Sequence, residues 1–292
     1  MVTRTLSTLL RLRLTVGYAG ALVAVATTLL MLGPRVQEHV IRHMSTNLHN
    51  LEHGQLGTLI GSAFVTENGP IWVWLPGLVC LLALAELLWR SGRVLITFAL
   101  GHVGATLIVA AGLAATIKLG WIPISVAHDS DVGISYGAVA VLGALTAAIP
   151  SRSRPAWIGW WFSVALLALC ANADFTDGGH FVALLVGILL SFRLGAVTRW
   201  TRVRLALLVV GVAFGYLVLV NTGLPVAVAP VVGTVGALTA HWLAGRWQAR
   251  RTRPARAAAA ALTTDGAGQQ PTRAGQTGPK DAGSDVHAAP GG

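Results

Sequence analysis

The sequence predicts an all-α, polytopic membrane helical bundle, and three observations carry that reading. The 292-residue chain is 54% hydrophobic and only 11% charged, where a soluble domain has roughly 25% charged residues. Several apolar runs reach or approach the roughly 20 residues needed to cross a hydrocarbon core of about 30 Å. Arginines gather in alternate connections between those runs, the pattern of cytoplasmic loops under the positive-inside rule. Lipid offers no partner to a free backbone N–H or C=O, so each span is expected to be a helix.

Eight spans follow in order. The first, about 14–33, comes after Arg4, Arg11 and Arg13. It is too long for a signal-peptide core and no small-x-small site follows it, so it is expected to be retained. An outer loop of about 34–70 comes next. Its Val40, Met44, Leu48 and Leu51 recur at helical spacing among polar residues, which suits one helix lying in the membrane interface. Spans two and three, about 71–89 and 94–117, are joined by a turn carrying Arg90 and Arg93. Span four, about 132–149, precedes Arg152 and Arg154, and span five covers about 157–171. Span six, about 179–197, leads into Arg193, Arg199, Arg202 and Arg204. Spans seven and eight, about 205–220 and 225–245, precede Arg246, Arg250, Arg251, Arg253 and Arg256. The opposite loops hold Glu38, Glu52, Glu67, Asp129, Asp131, Asp174 and Asp177 against only Arg35, Arg42 and Lys118. Both termini are therefore expected in the cytoplasm of an integral, multi-pass cell-membrane protein. The formal charge of +10 is mostly this topological arginine and argues for lipid headgroups, not nucleic acid. The residues from 247 to 292, rich in Ala, Gly, Pro and polar groups, read as a disordered cytoplasmic tail.

Ionisable and nucleophilic groups inside spans are costly and mark candidate sites. Glu86 stands four residues before Arg90, the spacing of an interfacial ion pair on one helix. His102 is expected to bond to a neighbouring helix, and His241 sits near the end of the last span. Cys80 and Cys170 read as packing residues, without disulfide or metal role. Ser135 and His180 differ because both fall near the outer ends of spans that run in the same direction. His180 shares a face with Ala183 and Gly187, and Ser135 with Ala138, small residues that allow close helix approach. Gly133 and Gly137 form a second stripe that should meet another neighbour. A histidine within about 3 Å can serve a serine as base, so the two positions make a candidate dyad. Asp131 and Asp177 are placed to cap helices, and no metal or other cofactor is expected.

The order of short motifs resembles the rhomboid family of intramembrane serine proteases. GISYG, at 133–137, resembles the family's Gly-x-Ser-Gly at the start of its fourth core helix. GGHFVALLVG, at 178–187, resembles the histidine motif of its sixth. GTLIGSAF, at 57–64, looks like the loop motif ending in Phe, and AELLWRSGRVLITF, at 85–98, like the second inner turn. The resemblance covers about 50–195. It implies a six-helix core within 14–200, two added C-terminal transmembrane helices within 201–246, a catalytic nucleophile at Ser135 and a general base at His180. Tyr136 stands where the family has glycine. The family's oxyanion His and Asn on the second helix would fall near Pro70 or Ile71 and near Trp74 or Leu75. A His-x-x-x-Asn does occur at His43 and Asn47, where with His49, Asn50 and His53 it would have to fold over the site. The leading expectation is an intramembrane serine endopeptidase acting on transmembrane protein substrates. The alternatives are a rhomboid pseudoprotease that binds membrane-protein clients without hydrolysis, and a small-solute transporter.

Overall fold

The computed structural model describes residues 11–65, 71–128, 134–172, 174–195, 200–220 and 223–267. Asp129, Asp131, Gly133, Glu67, Pro70, Arg4, Arg199 and the tail beyond 267 lie outside the described residues. The described chain is helical, with α1 (Arg13–Leu32), α2 (Pro34–Met44), α3 (Leu48–Glu52), α4 (Thr58–Gly61), α5 (Ile71–Trp89) and α6 (Ser91–Lys118) in its first half. Then come α7 (Ile134–Ala144), α8 (Arg154–Asn172), α9 (Phe175–Ser191), α10 (Arg202–Leu219) and α11 (Leu224–Ala267). Among the described residues six helical stretches are long and apolar enough to cross a membrane, and α7 and α9 are apolar but shorter. The chain is an integral, multi-pass membrane protein.

The contacts divide it into two units, Met1–Ala244 and Gly245–Gly292. The second is helical as far as Ala267, past the change of composition at 247. The alanine run 257–261 has the highest intrinsic helix propensity available. Within this unit the Arg251 guanidinium lies 3.6 Å over the Trp247 ring.

In the first unit the central element is α7. Every residue from Tyr136 to Ala144 is buried, and a 3-10 turn, Leu145–Ala147, extends the helix by one turn. Eleven α-helical residues rise only about 16 Å, roughly half the hydrocarbon thickness. That length is tolerated because protein, and not lipid, surrounds the helix and meets its free backbone groups. The Arg154 side chain donates to the carbonyls of Ile149, at 2.9 Å, and Ala147, at 3.0 Å, just past the end of α7. These are among the carbonyls a helix end leaves without partners.

Helices α6 and α9 flank α7 most closely, and α10 closes another side, with Phe214 against Gly77 of α5 and Gly215 against Leu142 of α7. The α7–α9 contact is backbone to backbone. A Cβ on Gly187 would collide with the Ala140 carbonyl, and one on Gly143 would lie 2.5 Å from the Leu184 carbonyl oxygen. Of the second glycine stripe, Gly137 meets a different neighbour, lying under the Phe98 ring of α6, and Gly133 is outside the described residues.

Two local expectations are corrected. The stripe Val40–Met44–Leu48–Leu51 is not one helix, because the chain turns extended at Ser45 after α2 ends. Leu48 then packs with Leu113 and Ala127 in a small separate core, and the Met44 sulfur lies against Gly61. Nor does Glu86 pair with Arg90. Arg90 has a positive φ of 71° and forms the whole connection between α5 and α6, so helical spacing no longer applies there. Glu86 instead accepts hydrogen bonds from the backbone N–H groups of Leu14 and Thr15, both at 2.9 Å. The hydroxyls of Thr15, at 2.7 Å, and Ser91, at 2.5 Å, also donate to it. One buried carboxylate thus joins the starts of α1 and α6 to the end of α5.

Candidate functional site

Ser135 is the second residue of α7 and is half-buried. His180 is the sixth residue of α9 and is 6% exposed. The contacts step along both helices together: Tyr136 meets Gly179 and His180, and further along Ala140 meets Gly187. The two helices therefore run in the same direction, and Ser135 stands one residue before the level of His180. Tyr136 is fully buried, with its ring edge-on to the imidazole at 5.4 Å and 83°. Gly179 leaves room for that ring, because a Cβ there would strike the phenol.

Neither ring nitrogen of His180 has a hydrogen-bond partner among the described residues. Among the described residues the carboxylate that pairs with it is Asp177, with Oδ1 3.8 Å from Nδ1. Asp177 is not the helix cap that its sequence position suggests. Asp174 holds that place, accepting from the Thr176 N–H at 3.2 Å, and Asp177 lies in the first turn. Its other oxygen accepts from the Asn172 side chain at 2.8 Å. The i, i+3 spacing of Asp177 and His180 on one helix face was the sequence signal for this pair.

A second serine and histidine also come together. The Nε2 of His102 lies 2.8 Å from the Leu59 carbonyl and 3.3 Å from the Ser62 hydroxyl. A carbonyl only accepts, so Nε2 carries the hydrogen, and a protonated nitrogen cannot take a proton from Ser62. Ser62 is fully buried and also receives a hydrogen bond from Thr46 at 2.7 Å. This group anchors the loop before α5 to α6 and has no nucleophile to offer. His102 thus bonds to the short helix α4 and the 3-10 turn after it, partners about forty positions away that helical periodicity does not reveal. The Tyr18 hydroxyl adds a tie from α1 to the Ala63 carbonyl at 2.5 Å. His102→Ala is expected to lose about 1–3 kcal/mol through the orphaned partners. Limited proteolysis between 45 and 62 should then speed up, and an unchanged cleavage rate would contradict the anchoring role.

The polar residues of the outer loop are used locally. The Asn47 side chain accepts from the Asn50 N–H at 2.8 Å, and the Asn50 amide donates to the Arg42 and Ser45 carbonyls. His43 and His53 each place Nδ1 on the carbonyl four residues earlier. At the expected oxyanion slots, Ile71 is buried, and Trp74 and Leu75 pack against the main core. The Trp74 indole N–H is buried without a partner among the described residues. His241 is exposed, and Cys80 and Cys170 are free thiols. Among the described residues no group of three or more His, Cys, Asp or Glu side chains is arranged to hold a metal ion.

A polytopic bundle with a buried histidine beside the start of a short central helix is the class this geometry defines. A family model described as rhomboid-like protein matches residues 15–198. The chain belongs to the rhomboid-like family, and α10 and α11 follow the matched core. No curated protein and no solved structure matches the chain.

Proposed function

We propose that this protein is an intramembrane serine endopeptidase, with Ser135 as nucleophile and His180 as general base. The observation that carries the reading is the His180 ring, buried at the level of Ser135 with both nitrogens unpartnered among the described residues. A buried polar group left in that state costs about 1–3 kcal/mol, which the fold tolerates where the group serves a reaction. In free enzymes such bonds are often long and tighten when substrate binds.

In this mechanism the Ser135 oxygen attacks a backbone carbonyl of a transmembrane protein substrate as His180 takes the hydroxyl proton. The oxyanion meets the free N–H groups at the N-terminus of α7, that of Ser135 among them. His180 returns the proton to the leaving amine, and water then releases the acyl group by the same route in reverse. The arginine pattern puts both termini in the cytoplasm of the cell membrane and the Ser135 end of α7 at the outer surface. In this arrangement 14–200 is the catalytic core, α10 and the adjoining part of α11 are accessory spans, and the tail is cytoplasmic.

The position of Tyr136 favours a second reading, a pseudoprotease that binds membrane-protein clients. Its ring packs against the imidazole in a T-shaped arrangement, and no hydrogen bond joins Ser135 to His180 among the described residues. Labelling of the purified protein with a fluorophosphonate separates the two. Labelling abolished by either Ser135→Ala or His180→Ala is expected for the protease. Equal labelling of all three proteins, or none where an active rhomboid reacts, is the result of the pseudoprotease.

A further inference from the structure

We infer that Asp177 is a positioning residue for His180, which makes the site a three-membered relay held from two helices. The inference rests on the reading of Ser135 and His180 as a dyad. The Asp177 and His180 side chains are 12% and 8% exposed, and Oδ1 lies 3.8 Å from Nδ1. That gap is longer than a hydrogen bond, but at this distance the charge of the partly buried carboxylate still acts on the ring. The carboxylate is not free to swing away. Its Oδ2 is held by Asn172, the last residue of α8, while the backbone of Asp177 belongs to α9. Capping does not explain it, because Asp174 already fills the cap.

Among the described residues Asp177 is the one charged group paired with His180. From α7 the ring faces Tyr136, and α8 contributes the uncharged Asn172. α6 carries Arg93, His102 and Lys118, none of which forms an ion pair with His180 among the described residues. His102 itself is turned to Leu59 and Ser62.

The consequence is a fixed tautomer. Asp177 draws the ring hydrogen to Nδ1, so Nε2 presents its lone pair to the Ser135 hydroxyl. When that proton arrives on Nε2, the imidazolium stands beside the carboxylate, which stays ionised throughout. This is the role of the orienting acid in serine–histidine–aspartate sites, supplied here from three residues upstream on the histidine's own helix.

The test combines nitrogen NMR of histidine-labelled protein with fluorophosphonate labelling rates across pH. Wild type, Asp177→Asn, Asp177→Glu and Asn172→Ala are compared, with His180→Ala to assign the signal. In wild type the His180 ring should carry its hydrogen on Nδ1. In Asp177→Asn the ring hydrogen should no longer be confined to Nδ1, and the labelling rate should fall at least about tenfold. Asp177→Glu should restore most of the rate, and Asn172→Ala should shift both readouts in the same direction by less. If Asp177→Asn does not fold, Asn172→Ala decides. Labelling that needs Ser135 and His180 but ignores Asp177 and Asn172, with the ring hydrogen of His180 unmoved, overturns the positioning role and leaves the dyad standing. A moved ring hydrogen with labelling indifferent to Ser135 retains the Asp177–His180 pair and overturns the dyad.

Discussion

Gly187→Ala is expected to be among the most damaging single-methyl changes in this protein. The added Cβ meets the Ala140 carbonyl of α7, which is backbone and cannot turn aside as a side chain would. Relief requires α9 to move off α7, and Gly143, whose own Cβ position is blocked by the Leu184 carbonyl, sits in the same seam. Overpacking of a filled core costs about 1–3 kcal/mol and occasionally more. A backbone clash belongs at or above the upper end. The same movement separates Ser135 from His180, so activity should fall with stability. Thermal unfolding in detergent, followed by loss of the monodisperse species, measures it. A midpoint equal to wild type would show that the seam has slack and that the helix pairing described here is wrong.

Glu86→Ala should produce a comparable loss from the other end of α5. Truncation leaves two backbone N–H groups of α1 and the Thr15 and Ser91 hydroxyls without their acceptor. An orphaned buried donor costs about 1–3 kcal/mol, and four share one acceptor here, so about 3 kcal/mol or more is expected. The connection it braces includes Arg90 at a φ of 71°, a strained conformation for a side-chain-bearing residue that persists only where its surroundings impose it. Glu86→Gln, which keeps one acceptor oxygen, should fall between alanine and wild type. Thermal midpoints for the two variants decide this, and an alanine variant as stable as wild type would contradict the bracing role.

The helical spans were legible in the sequence because hydropathy and backbone satisfaction leave a lipid-exposed chain few choices. The close α7–α9 approach was legible too, in Ala183 and Gly187 on the His180 face. What the sequence hid was partner choice. Four-residue spacing proposed Arg90 for Glu86, but the helix ends between them, and the real donors lie more than seventy positions upstream or just inside the next helix. His102 likewise finds Leu59 and Ser62 by tertiary folding alone. The outer loop failed as one amphipathic helix because Ser45 turns extended and Asn47 starts a new helix with its own side-chain cap. Asp177 resembles a cap in the sequence because the apolar span begins only at 179, two residues after it. With the start at Phe175, its pairing with His180 follows from spacing.

The central claim is the proposal that Ser135 is the nucleophile, and the buried Ser62–His102 contact is the rival to test it against. The most direct measurement is the position of the fluorophosphonate adduct on the wild-type chain, found by peptide mass spectrometry after labelling in detergent or vesicles. The account predicts the adduct on Ser135, with Ser62 unmodified because the hydrogen on His102 Nε2 points at it and at Leu59. An adduct on Ser62, or on neither serine where an active rhomboid is labelled, would contradict it.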